Sequence, residues 1–167
     1  MKFLVDRPLL GLAKWLRFLG FDAQSAAFSA APPKGLPEPS SGTYLLTLQA
    51  PLKKLGRPDL IVLAGAGPEE QLREVLELLK LSRRDLNPLS RCGRCNEVLK
   101  PVARGAAQGR VPDHVLLTQK DFYECPGCRR LYWPGSHLPG IGRTLSRVLR
   151  RGGRGPAPKP PRKAEKE

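Results

Sequence analysis

The chain has 167 residues, enough for one ordinary domain or for one compact domain with a small metal-stapled appendage. Its hydrophobic fraction of 40% with 6% aromatics supports a modest core, and 18 Pro with 17 Gly assign much of the length to loop and tail. The net charge of +14 argues for a polyanionic partner; no apolar run reaches the length of a membrane span, and Asp6 and Arg7 interrupt the apolar start before a secretory leader can form, so the reading is cytosolic.

KFLV (2–5) is a short apolar run ending at Asp6, which suits a buried strand whose last residue presents a carboxylate. Pro8 fits the first turn of a helix, and Leu9, Leu12, Leu16 and Leu19 then recur at helical spacing until Gly20 stops it. Residues 23–43 lose all apolar period, carry Pro32, Pro33, Pro37 and Pro39, and read as a loop. TYLLT (43–47) and LIVLA (60–64) are apolar enough for strands of a parallel sheet covered on both faces. Pro68 opens a second helix, with Glu69 and Glu70 at the positive end of its dipole and Leu72, Val75, Leu76 and Leu79 along one stripe. Strand, helix, strand, strand and helix within some 87 residues predict a small three-layer α/β unit.

From residue 88 the composition changes. RCGRC (91–95) and ECPGC (124–128) are two C-x-x-C knuckles about thirty residues apart, and they use all four cysteines of the chain. Reduced thiols in such pairs favour metal over disulfide, so Cys92, Cys95, Cys125 and Cys128 are expected to hold one structural Zn²⁺, with Gly93 and Gly127 easing the tight turns. Four thiolates leave no open position for a catalytic water, and neither His114 nor His137 is needed. A pair of redox disulfides is the alternative. VLKPV (98–102), HVLLT (114–118) and RLYW (130–133) are the candidate strands of this ribbon, which we place at 88–138.

GIGRTLSRVLRR (140–151) predicts a basic helix within 139–151, with Ile141, Leu145, Val148 and Leu149 on one face and Arg143, Arg147, Arg150 and Arg151 largely on the other. The tail 152–167 has too little apolar surface to fold. Residues 143–167 hold nine basic and two acidic residues, half of the chain's positive excess. Such clustering releases counterions from a phosphate polymer, which makes nucleic acid the leading partner and binding salt-sensitive, with an anionic membrane surface or a purely solubilising tail as the alternatives.

VDRPLLGLAKWLRFLGFD (5–22), YLLT (44–47), SRCGRCNEVLKPV (90–102), RVPDHV (110–115), DFYECPGCRRLYWPGSH (121–137) and the closing helix together resemble the Mut-seven C-terminal RNase family. The resemblance implies a PIN-like nuclease domain joined to a zinc ribbon, and RNA cleavage by acids at strand ends that collect Mg²⁺ or Mn²⁺. Asp6 matches the first of these acids. Where the family reads LTRD the chain reads LTLQ, which puts Gln49 in place of a carboxylate; Glu38 is the only acid of the Pro-rich loop.

Two functions therefore stand against each other. In one, the protein binds RNA through its ribbon and basic C-terminus and keeps the PIN-like domain as a scaffold. In the other, it is a metal-dependent ribonuclease using Asp6, with Asp22 and Asp59 compensating for the lost acid. A ribbon that docks on another protein is a third reading. Arg7, Lys14 and Arg17 lie on one side of the first helix and are candidates to guide phosphate, or else form a plain solvated face. Tyr123, Tyr132 and Trp133 either stack on bases or build the small domain's core.

Overall fold

A computed structural model describes residues 1–29 and 35–134. The predicted basic helix, the tail, His137 and the arginines at 143, 147, 150 and 151 lie outside the described residues. Four strands, β1 (Lys2–Asp6), β2 (Asp22–Ala26), β3 (Thr43–Thr47) and β4 (Leu60–Val62), form one parallel sheet in the order β2-β1-β3-β4. Between β1 and β2 runs α1 (Leu10–Phe18), entered through a 3-10 turn, Arg7–Leu9, that Asp6 caps; α2 (Pro68–Leu78) follows β4.

The apolar runs alternate between two buried faces. Phe3, Val5 and Leu46 face one way and meet Leu9, Leu12, Leu16 and Leu19 of the first helix and Leu72, Val75 and Leu76 of the second. Leu4 and Leu45 face the other way and meet Phe28, Leu36 and Leu52. Each fully buried leucine contributes on the order of 2 kcal/mol, so the sheet is held from both sides. The expected three layers are present, but among the described residues the third holds no α-helix: Phe28, Leu36 and a 3-10 turn, Ala50–Leu55, with Leu52, cover this face.

β2 corrects the expectation of a loop from residue 23. Its sequence DAQSA has no apolar period because only Ala23 is fully buried, while Gln24 and Ser25 face solvent on an edge strand. Pairing with β1, from Lys2↔Asp22 to Asp6↔Ala26, supplies the order that side-chain burial does not. Gly20 ends the first helix as expected, at φ 95°, and a Cβ there would lie 2.3 Å from the Asn87 carbonyl oxygen, so the turn is fixed both by backbone conformation and by close approach.

The second unit has the expected ribbon architecture: β5 (Lys100–Val102), β6 (Phe122–Glu124) and β7 (Leu131–Tyr132) form an antiparallel sheet in the order β5-β6-β7, extended by a bridge between Arg91 and Val98. The expected strand at 114–118 is instead a helix, α3 (Asp113–Thr118). Pro112 and Asp113 start it, and only one of its faces is buried: Val115 packs with Ala107, Val111 and Phe122 while Leu117 is exposed. Among the described residues no helix is long and apolar enough to cross a membrane.

Candidate functional site

The order β2-β1-β3-β4 makes the chain leave β1 towards one edge and β3 towards the other. In parallel sheets the crevice at such a divergence, beyond the carboxyl ends of the strands, is the usual place for a ligand. Asp6 ends β1 there, and Thr47 ends β3 beside it.

The Asp6 carboxylate is buried, 3% exposed, and both oxygens are satisfied by the protein. Oδ1 accepts from the backbone N–H of Arg7 at 2.9 Å and of Phe28 at 3.4 Å. Oδ2 accepts from the Thr47 hydroxyl at 2.7 Å and from Gln49 Nε2 at 2.8 Å. The Gln49 amide nitrogen also donates to the Phe28 carbonyl at 3.1 Å. With two acceptors in front of it, the amide can face them only with its N–H₂ end, since the reversed orientation would set oxygen against carboxylate and carbonyl.

This arrangement does not fit Mg²⁺ or Mn²⁺. Such ions need several oxygen ligands, and here one carboxylate is presented with both oxygens engaged, beside an amide that offers hydrogens rather than an oxygen. The acids expected to compensate are elsewhere. Asp22 is level with Lys2, four residues from Asp6 along the sheet or roughly 13 Å, where it binds Asn96 at 2.6 Å and faces Arg91 at 3.8 Å. Asp59 precedes β4 at that same amino-terminal edge and is paired with Arg57 at 2.6 Å. The Arg57 guanidinium holds the Asp59 carboxyl below the usual carboxylate range, against burial, which pushes it up.

At the metal centre the four cysteine sulfurs lie within 4.8 Å of one another, the one cluster of its kind among the described residues. Cys92 and Cys95 Sγ are 3.5 Å apart, Cys92 and Cys128 3.6 Å, and Cys95 and Cys125 3.6 Å. A tetrahedral ion with bonds of about 2.3 Å sets sulfurs about 3.8 Å apart, so the residues fit one metal ion. The two knuckles repeat one backbone pattern. Asn96 N–H donates to Cys92 O and Arg129 N–H to Cys125 O, both at 2.9 Å, while Cys92 and Cys125 N–H return to the carbonyls of Glu97 and Arg130. Each knuckle also turns an amide to sulfur, Cys95 N–H to Cys92 Sγ at 3.5 Å and Cys128 N–H to Cys125 Sγ at 3.4 Å.

The left-handed positions of these turns are Asn96 and Arg129, at φ 68° and 60°, and not the glycines expected to ease them. Gly93 has another reason: a Cβ there would sit 2.5 Å from the Phe18 ring of the first helix. The Tyr132 hydroxyl lies 3.0 Å from Cys92 Sγ. Burial pushes the Cys92 thiol up, but the Cys95 amide and that hydroxyl outweigh it and bring it down to about 6. Tyr132 is thereby engaged with a ligand, and Tyr123 packs around the same sulfurs. His114 is exposed and outside the cluster.

Among the predicted phosphate contacts, Arg7 and Lys14 are exposed. Arg17 is turned towards the ribbon: its guanidinium donates to the carbonyls of Ala23 at 2.8 Å, Gly93 at 3.3 Å and Arg94 at 2.8 Å. Burial lowers its pKa, opposed by the negative charge of Cys92, Cys95 and Asp22. Asn96 completes the junction by accepting from Ala23 N–H at 3.1 Å and donating to Asp22.

Beside this junction the first helix and the ribbon enclose an open cleft of about 760 Å³ in which six of the twelve lining residues are Lys or Arg and none is acidic. Arg110 and Arg129 are paired with Glu124, at 2.8 and 3.0 Å. The basic character of this wall was visible in the sequence, since arginines sit inside the first knuckle and directly after the second in RCGRC and CRR; their convergence on the first helix was not.

Comparison with family models gives a match described as "Mut7-C RNAse domain" over residues 1–145, which spans both units. Comparisons with curated proteins and with solved structures give no match.

Proposed function

The chain belongs to the Mut7-C RNAse domain family, and we propose that within it this protein binds RNA without cutting it. The observation that carries the reading is the closure of the Asp6 carboxylate by the Gln49 amide and three further donors. Phosphodiester hydrolysis with metal assistance needs a cation held by converging carboxylates, which polarises phosphate and lowers the pKa of a bound water. A neutral amide in donor orientation supplies neither charge nor a lone pair. The parallel sheet then serves as a scaffold that presents its first helix to the ribbon.

In this reading the four thiolates hold a structural Zn²⁺ in the reducing cytoplasm, with Tyr132 and the knuckle amides orienting and partly neutralising the sulfurs. RNA affinity comes largely from counterion release at Lys and Arg, including the predicted contacts Arg143, Arg147, Arg150 and Arg151.

The test is incubation of the zinc-loaded chain with labelled single-stranded and structured RNA in Mg²⁺ or Mn²⁺, beside Asp6→Asn. Salt-sensitive binding with no cleavage by either protein is expected. Cleavage by the native chain that Asp6→Asn abolishes would return the protein to the nucleases.

A further inference from the structure

The cleft between the first helix and the metal knuckles has features that neither the metal centre nor the strand-end carboxylate uses. We infer that it is a binding site for a short stretch of single-stranded RNA, with Lys14, Arg94 and Arg130 taking phosphates and Trp133 offering a stacking face; this rests on the RNA-binding reading above.

Three observations converge on it. Lys14, Arg94 and Arg130 are exposed, line the cleft and have no acidic partner among the described residues, whereas structural arginines of the same region are paired or bonded. An unpaired cation facing a concave wall without a carboxylate has its charge available for an anion. The wall also carries aromatic surface. The Lys14 ammonium lies 5.6 Å from the centroid of the Phe18 ring, and Trp133 is half-buried, with its ring 6.5 Å from Phe122 on one side and part of its surface in the cleft.

Alternation of cations and aromatic faces suits a polymer of phosphates and bases, and a base must be out of a duplex before it can stack on an indole. The volume of about 760 Å³ is of the order that holds a small organic ligand, enough for a short piece of single strand. The cleft depends on the metal as well as on charge. Arg94 is inside the first knuckle, which the Arg17 bonds hold to the helix that carries Lys14, and Arg130 follows the second knuckle, which the shared metal joins to the first.

The experiment measures fluorescence anisotropy of a labelled unstructured oligoribonucleotide with the zinc-loaded full chain over a range of salt. The double variant Arg94→Glu and Arg130→Glu should weaken binding at least about tenfold and lower the salt slope by about 1.4, two single-strand phosphates at roughly 0.7 each. Trp133→Ala should weaken it by about 5- to 150-fold, Trp133→Phe much less, and RNA should quench Trp133 emission. Lys53→Glu with Lys54→Glu, the same charge change on the exposed turn before β4, is the control and should alter affinity only slightly. Equal loss in the control, or unchanged affinity and slope in the cleft variant, overturns the cleft while leaving RNA binding intact. Absence of any RNA binding by the native chain overturns both.

Discussion

Replacing Gln49 by Leu removes an amide that bridges Asp6 and the segment after β2, beside the direct bond from Phe28 N–H to Asp6. The Gln49 amide makes a bond of 2.8 Å to a charged oxygen and one of 3.1 Å to a neutral carbonyl. Bonds of these two kinds are worth about 1.5–3 and 0.5–1.5 kcal/mol. Because Gln49 is half-buried, water can replace part of what is lost, which places the expected cost near the lower sum, about 2 kcal/mol. With a urea slope of about 2 kcal/mol per molar, the unfolding midpoint falls by about 1 M. Gln49→Asp tests the same geometry from the other direction. It puts a second negative charge against Asp6, and two unit charges about 4 Å apart at an effective dielectric constant near 20 repel by about 4 kcal/mol. That variant should be less stable than Gln49→Leu at neutral pH, recover as acid protonates the pair, and recover with millimolar Mn²⁺, which the native chain should ignore. Urea unfolding of the zinc-loaded protein, followed by circular dichroism and tryptophan emission with and without Mn²⁺, reads all of this. Gln49→Leu with a native midpoint, or Gln49→Asp that matches Gln49→Leu without cation, would show that the two side chains do not face each other as described.

Arg17→Met removes three guanidinium bonds to carbonyls, two of them on the first knuckle. At about 1.5 kcal/mol or more for a charged bond, metal release to a chromogenic chelator should quicken by about tenfold, and an unchanged rate would place Arg17 outside the metal's support. The Arg57–Asp59 pair predicts an acid dependence. Because Asp59 is held below its unfolded value, its stabilisation is complete above about pH 4 and fades as pH falls through the folded value. Asp59→Asn should therefore flatten the decline of the urea midpoint between pH 5 and pH 3, and an identical decline in both proteins would refute the assignment.

The parallel sheet was legible because burial on both faces writes itself into continuous apolar runs, as in KFLV and TYLLT. The metal centre was legible because two knuckles of fixed spacing have few other uses. β2 was hidden because an edge strand needs little apolar surface, and DAQSA buries only Ala23 completely. HVLLT misled because a short apolar run does not distinguish strand from helix; Pro112 and Asp113 ahead of it were the better signal. At the strand ends the family resemblance put Gln49 where an acid is expected. It did not show that Gln49 would turn its amide on Asp6, since that depends on Phe28 and Thr47 meeting there through the sheet register. Arg17 looked like part of a solvated helix face because its partners are backbone carbonyls, which no side-chain pattern reveals.

The junction made by Arg17 has a consequence for how the protein is made. Its acceptors on the first knuckle come 76 and 77 residues later in the chain. At synthesis rates of about 5–20 residues per second, the helix is synthesised some 4–15 s before these carbonyls exist. The second knuckle, which completes the tetrahedron, is later still. The amino-terminal sheet can collapse early on its leucines, but the seam waits for translation to deliver the cysteines and for the cell to deliver the ion, so nascent chains starved of the metal would keep Arg17 and Phe18 open to chaperones.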